Sequence, residues 1–204
     1  AVIIIPARYA STRYPAKPLA TLKGANGVER SLLERSTIAA RAAAQATPGV
    51  TGVYVATDDD RIAAEAQRIG VEVIMTDPAC ANGTERVAQA VTRAGLTQPI
   101  IVNLQGDAPL TPDFVVRDLV AALAEDADAV MSTPAVRCSE TLYHHLVADQ
   151  KQGRVGGTTI VFNSALTALY FSKRVIPFIS ETVADAHLHV HLHLGVYAYR
   201  PDAL

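Results

Sequence analysis

The chain has 204 residues, half of them hydrophobic, with 20 acidic against 18 basic side chains and a formal net charge of −2. That length suits one domain, 1–204, with a sizeable core, and a mean hydropathy of +0.19 describes an apolar globule rather than a disordered or coiled chain. The balance lacks the positive field that general nucleic-acid and anionic-membrane binders need, so no nucleic-acid and no membrane partner is expected.

In chain order, residues 2–5 form a β-branched run that reads as a buried strand and stops at Pro6. The next loop carries Arg8, Arg13 and Lys17 among small residues, with Pro15 and Pro18 restricting its path. Residues 28 to 43 read as a helix. A second strand, 52–57, precedes a helix over 61–69 that Asp58 or Asp59 can cap and Gly70 ends. A third strand covers 71–75, and a helix over 84–94 stops at Gly95. The fourth strand, 100–104, lies between Pro99 and Gly106. Pro112 starts a helix running to 124, and 129–133 is a fifth strand. This alternation predicts an α/β, Rossmann-like fold with a mostly parallel central sheet flanked by helices.

After Pro134 the rhythm changes. Residues 154–163 and 165–172 read as two antiparallel strands joined near Asn163, and 189–199 as another, giving a smaller antiparallel C-terminal portion. The chain is therefore expected to divide into an α/β half, 1–134, and a C-terminal portion, 135–204. The chain stops at Leu204, just after a strand and Pro201, without a closing helix, the pattern of a domain incomplete at its C-terminus. Cys80 and Cys138 stand in no metal-binding spacing and suit a reducing compartment, although a single disulfide stays open. No apolar run reaches the length of a signal core or a membrane span. A cytoplasmic protein is expected.

Three stretches carry chemistry. In an open α/β sheet, ligands bind beyond the carboxyl ends of the strands. Three cations in the loop after the first strand suit a polyanion, a triphosphate above all. The alternative is a surface loop with solvated cations, but the stiffening prolines and the crowding of charge favour a ligand. At the end of the fourth strand, Asn103-Leu104-Gln105-Gly106-Asp107-Ala108-Pro109 puts a carboxylate where Mg²⁺ over a phosphate would need it. An Asx-turn is the plain alternative. Between the third strand and its helix, Gly83 allows close backbone approach to a planar ligand, and Asn82 and Thr84 offer groups to read a base edge. Either residue can equally cap the helix, and both readings can hold together. There is no phosphate-binding GxxxxGK[ST] and no GxGxxG. Finally, His187, His189, His191 and His193 alternate along one strand face; a transition-metal site, a polar strand face and a subunit contact are all open for them.

Taken in order, these motifs resemble the 3-deoxy-manno-octulosonate cytidylyltransferases, or CMP-KDO synthetases, and more broadly the sugar nucleotidyltransferases. The family pattern PARYASTRLPGKPL is matched by residues 6–19, ATDD by 56–59, SGTER by 82–86 and NVQGDEP by 103–109. ALYFSR is similar to 168–173 and RHxGIYAYR to 192–200. The resemblance implies transfer of CMP from CTP to an eight-carbon acidic sugar with release of pyrophosphate, for bacterial lipopolysaccharide or capsule synthesis. It further implies Mg²⁺ as cofactor and a homodimer paired through the C-terminal region. By position, Ala7, Arg8, Arg13 and Lys17 would hold the triphosphate, Asn82 would sit near the base, and Ser11, Gly83 and Thr84 would complete the nucleotide site. Gln105, Lys173, His193 and Tyr197 would line the sugar site. Asp107 would bind the metal, with Arg13, Lys17 and Asp107 carrying catalysis.

The chain departs from the pattern at Tyr14 (leucine in the family), Ala16 (glycine), Asn82 (serine), Ala108 (glutamate) and Leu192 (arginine), and Thr158-Thr159-Ile160 replaces a Val-Lys-Val tendency. A second magnesium aspartate expected nearer the family's C-terminus has no match before Leu204. Two other classes compete: a non-catalytic nucleotide- or sugar-binding relative, and a transition-metal module built on the histidines.

Overall fold

Four successive buried side chains, Val2, Ile3, Ile4 and Ile5, set the middle of the architecture. Along β1 (Val2–Pro6), Ile3 and Ile5 join one apolar cluster while Val2 and Ile4 join another. A strand buried on both faces belongs inside a sheet covered on both sides, and each such side chain contributes about 1.5–3 kcal/mol. The structure is a computed structural model that describes residues 1–10, 14–180 and 189–204. They form two compact units, one of Ala1–Ser132 with Val196–Leu204 and one of Thr133–Gly195.

In the larger unit β1 lies between β4 (Val53–Thr57) and β6 (Ile101–Leu104), parallel to both, and β5 (Glu72–Met75) extends the sheet beyond β4. On the other side β12 (Val196–Tyr199) runs antiparallel to β6 and is followed by β7 (Met131–Ser132), giving the order β5-β4-β1-β6-β12-β7. One face is covered by α1 (Leu32–Ala46), α2 (Asp60–Arg68) and α4 (Asp113–Glu125), through residues such as Leu33, Ile62, Val116 and Leu123. The other is covered by α3 (Gly83–Arg93), through Val87 and Ala90. The chain winds from β1 out to β5, then crosses back to β6 on the opposite side of β1. That reversal opens a crevice at the carboxyl ends of β1 and β6, the place where such sheets take ligands.

Two local expectations are corrected in this unit. Residues 28–31 are not helical: β2 (Thr21–Lys23) pairs with β3 (Glu29–Ser31) across a turn in which Gly27 takes φ 78°. The helix begins only at Leu32 because Ser31 Oγ accepts from the Glu34 N–H at 3.0 Å, a cap written in the Ser-x-x-Glu spacing. Pro112 precedes α4 as its N-cap rather than standing in its first turn.

In the smaller unit, β8 (Ala135–Arg137), β9 (Thr159–Phe162), β10 (Ala168–Ser172) and β11 (His191–His193) form an antiparallel sheet in the order β10-β9-β11-β8. A helix absent from the sequence reading, α5 (Glu140–Lys151), is capped by Ser139, and its Leu146 packs with Cys138 and Val190. The stretch 189–199, read as one strand, is two: β11 belongs to this sheet and β12 to the large one. Gly195 stands at the break, where a strand tolerates interruption.

Candidate active site

The crevice between β1 and β6 holds a cavity of about 530 Å³, lined by Pro6, Ala7, Arg8, Lys17, Asn82, Gly83, Arg86, Gln105 and Asp107 among others. Its lining includes three cations, Arg8, Lys17 and Arg86, against one carboxylate, Asp107. Lys17 and Asp107, from the loops after two neighbouring strands, meet with Nζ donating to Oδ2 at 2.6 Å. The Asp107 carboxylate is thus turned to a cation in the cleft.

Backbone geometry makes this meeting possible. A Cβ on Gly106 would lie 2.9 Å from the Pro6 carbonyl oxygen, so only glycine lets the β1 and β6 ends approach this closely. Ser36 Oγ of α1 donates to the Gly106 carbonyl at 2.8 Å and holds the turn from below. On the other loop, Ala16 takes φ 57° and ψ 22° at the start of a short 3-10 turn, Lys17–Leu19. Left-handed backbone of that kind favours glycine, which accounts for the residue the family pattern places there. The Ala16 N–H donates to the Tyr9 carbonyl at 3.0 Å and closes the base of the loop.

Asn82 caps α3, its Oδ1 accepting from the N–H groups of Thr84 (2.9 Å) and Glu85 (3.0 Å). The capping reading therefore holds, and the base-reading role would fall to the rest of the carboxamide and to Gly83. Thr84 is directed elsewhere, bonding with Tyr199 of β12, and is not among the residues around the cavity. Gln105 Nε2 donates to the oxygen of buried Asn103 at 3.0 Å. Tyr197 stands opposite Asn103 on β12, and its ring stacks with Tyr199 at 5.8 Å. Burial raises the Tyr197 phenol above its ordinary range.

Arg86, the last residue of the 82–86 motif, also lines the cavity. Its guanidinium is buried, lies 3.1 Å from Asp58 Oδ1 and donates to Thr76 Oγ1. A buried guanidinium needs such partners, and these tie the first turn of α3 to the ends of β4 and β5. Asp58, the first acidic residue of the ATDD motif, was the available signal.

The remaining predicted residues divide as follows. Ser11 and Arg13 lie outside the described residues, as does His187. Lys173 and His193 belong to the smaller unit. There Lys173 Nζ donates to Thr158 Oγ1 at 2.6 Å, and His193 Nε2 is 2.9 Å from Thr133 Oγ1 with its ring edge-on to Phe171 at 5.1 Å. Burial, and then the charge of Lys173, lower the His193 pKa. His191 instead packs against Phe162. Among the described residues no three of His, Cys, Asp or Glu are grouped to hold a metal ion.

The cytidylyltransferase family model matches residues 2–203. A 3-deoxy-manno-octulosonate cytidylyltransferase of Maricaulis maris (strain MCS10) is 44% identical, covering 98% of this chain and 73% of that protein. An 8-amino-3,8-dideoxy-manno-octulosonate cytidylyltransferase of Shewanella woodyi is 37% identical, covering 97% of this chain and 73% of that protein. Among solved structures, a CMP:2-keto-3-deoxy-manno-octonic acid synthetase complexed with CTP superposes with a TM-score of 0.78 at 30% identity, covering 98% of this chain and 74% of that one. By sequence along its whole length and by fold, the chain belongs to the 3-deoxy-manno-octulosonate cytidylyltransferase family.

Proposed function

We propose that the chain transfers CMP from CTP to the anomeric hydroxyl of 3-deoxy-manno-octulosonate and releases pyrophosphate. The observation that carries this is the cleft at the reversal point of the sheet, where Lys17 and Asp107 meet at 2.6 Å among further cations. Relatives named for this reaction, and one solved with CTP, support the choice of nucleotide and sugar.

In this reading the anomeric oxygen bonds to the α-phosphorus as the bond from that phosphorus to the pyrophosphate oxygen breaks. Negative charge spreads over the departing phosphates, so catalysis is positioning and charge neutralisation. Lys17 and Arg8, with Arg13 from the same loop, neutralise the triphosphate. At the amino end of α3, Gly83 lines the cavity and brings its backbone and the positive end of the helix dipole to the nucleotide. Within the larger unit, Gln105 and Tyr197 are assigned to the acidic sugar by their match to the family pattern.

The residues present fit a hard cation. Asp107 offers carboxylate oxygens at the cleft, half-exposed and already facing a positive group. One carboxylate with substrate phosphates and water is a common way to hold magnesium. Asp107 would hold Mg²⁺, which supplies charge neutralisation and orientation of the phosphates.

The protein is further proposed to act as a homodimer. Among the described residues β10 is an edge strand with Leu169 and Tyr170 64% and 63% exposed, and an exposed apolar edge invites pairing with another copy. No helix among the described residues is long and apolar enough to cross a membrane, and substrates of this charge suit a cytoplasmic enzyme.

A coupled pyrophosphate assay with CTP, Mg²⁺ and a panel of acidic sugars tests the assignment. Release of pyrophosphate with 3-deoxy-manno-octulosonate is expected. Turnover with no acidic sugar would overturn it.

A further inference from the structure

Outside the cavity, the described part of the loop is held by a contact that no motif announces. Arg61, on the first turn of α2, lies with its Cζ 3.3 Å from the centre of the Tyr9 ring. The same guanidinium is fixed in plane by Asp59, Nε donating to Oδ1 at 3.0 Å and Nη2 to Oδ2 at 2.6 Å. Asp59 is itself immobilised as the cap of α2, accepting from the Arg61 N–H at 3.0 Å. Tyr9 packs against the main core, and its carbonyl receives the Ala16 N–H immediately before Lys17.

We infer that Arg61, clamped by Asp59 and stacked on Tyr9, is a positioning residue for the triphosphate site. It holds the stem from which Lys17 projects and thereby sets affinity for the nucleotide's phosphates. Neither Arg61, Asp59 nor Tyr9 is among the residues around the cavity, so the effect passes through the loop rather than through contact with substrate. A bidentate pair keeps the guanidinium flat against the ring, an arrangement a lysine ammonium does not reproduce. Cation–π attraction adds to it at this half-open site. The Asp59 carboxyl, held below its ordinary pKa first by its bond to Arg61, stays charged at neutral pH and keeps the clamp closed.

This inference rests on the reading that the cleft binds the triphosphate of CTP, and the test separates the two. Steady-state kinetics are measured on the full chain and on Lys17→Met, Arg61→Met, Arg61→Lys, Tyr9→Leu and Tyr9→Phe, with a thermal melt of each. Arg61 is 60% exposed, so its replacement is expected to leave the fold intact. Arg61→Met and Tyr9→Leu should each raise KM for CTP about two- to fivefold, the range of a stacked cation at an exposed site, while KM for the sugar holds and Arg61→Met keeps the parent's melting temperature. Arg61→Lys should recover only part of the loss, and Tyr9→Phe should recover most of what Tyr9→Leu loses. The Arg61→Met/Tyr9→Leu double variant should be no worse than the poorer single one, since each removes the same contact. An unchanged KM for CTP in Arg61→Met, or equal rises for both substrates, would overturn the inference while Lys17→Met still abolished turnover. If Lys17→Met turned over normally, the triphosphate reading would fail, and this inference with it.

Discussion

Replacing Asp107 with asparagine keeps the side chain's shape and removes its charge. The Lys17–Asp107 pair spans 2.6 Å, but the two side chains are 45% and 52% exposed. Solvent screens such a pair, and its share of folding stability is about 0.2–1 kcal/mol. At this chain length 1 kcal/mol moves the melting temperature by about 2–4 °C, so Asp107→Asn should melt within about 4 °C of the parent. Turnover should respond on another scale, because loss of one preorganised charge contact costs about 3 kcal/mol, or about a hundredfold in rate. The ligand response supplies a second measurement. Lys17 and Asp107 hold each other until a phosphate takes the ammonium and a cation takes the carboxylate. CTP with Mg²⁺ should therefore raise the melting temperature by more than the sum of the two added singly. At about a hundred times Kd the combined shift is about 5–10 °C, and Asp107→Asn should lose the excess. Pyrophosphate release and thermal melting with each ligand combination check both arms. Near-normal release by Asp107→Asn would refute the reasoning, and so would a fall in melting temperature large enough to explain the lost activity.

Three further outcomes are expected. Gly106→Ala would drive a Cβ to 2.9 Å from the Pro6 carbonyl oxygen; separating the two strand ends should cost about 1–3 kcal/mol in a denaturant titration and lower turnover with it. Ala16→Gly should equal or exceed the parent in thermal stability, because relief of the left-handed backbone, roughly 1 kcal/mol, outweighs or matches the added chain entropy, whereas Ala16→Val should fall below it. His193 has a lowered pKa in the folded state, so the unfolded chain binds its proton first as pH drops. Its stabilising share is full above the ordinary histidine value of about 6.5 and is lost as pH falls through the lower folded value. Urea titrations at pH 7.5 and 5 should show this slope, reduced in His193→Gln; an equal slope in both proteins would remove His193 as its source.

Much of the larger unit was legible because its signals are local. The run Val2–Pro6 needs no partner to be read as buried, and Asp59 and Gly70 bound α2 by rules confined to one turn. That the loop of Lys17 and the turn of Asp107 share one edge of the sheet was legible too, since they follow the first and fourth strands of one parallel pattern; their direct contact was not. What escaped depends on distant partners or on weak pattern. The stretch 189–199 alternates throughout, and nothing in it says that β11 pairs with β8 and β9 while β12 pairs with β6 and β7. In α5 only Leu146 is buried, so its apolar stripe is too thin to announce a helix. The 28–31 error had a visible remedy, as Asn26-Gly27 marks a turn and Ser31 with Glu34 marks a helix start. The stacking of Arg61 on Tyr9 had none, because the two are far apart in sequence and neither type implies the other.

The departures from the family pattern have local physical answers. Leu192 stands where the pattern has arginine, next to His193, yet alternation along β11 sends neighbours to opposite faces. A Cβ on Gly157 would lie 2.5 Å from Leu192 Cδ1, and Leu192 packs with the cluster of Cys138, Leu146 and Val190, while His193 faces Phe171 and Thr133. That change therefore alters the core of the smaller unit and leaves the histidine's face as it was. Ala16 keeps the left-handed turn before Lys17 despite its Cβ. Ala108 supplies the N–H that closes a turn onto the Gln105 carbonyl at 3.0 Å, a bond indifferent to its side chain. Its missing carboxylate leaves one negative charge fewer beside Asp107, in a cleft whose lining already carries three cations against one carboxylate. For a ligand as negative as a nucleoside triphosphate the change is electrostatically favourable. Neither Leu192 nor Ala108 therefore removes a group that the proposed transfer requires.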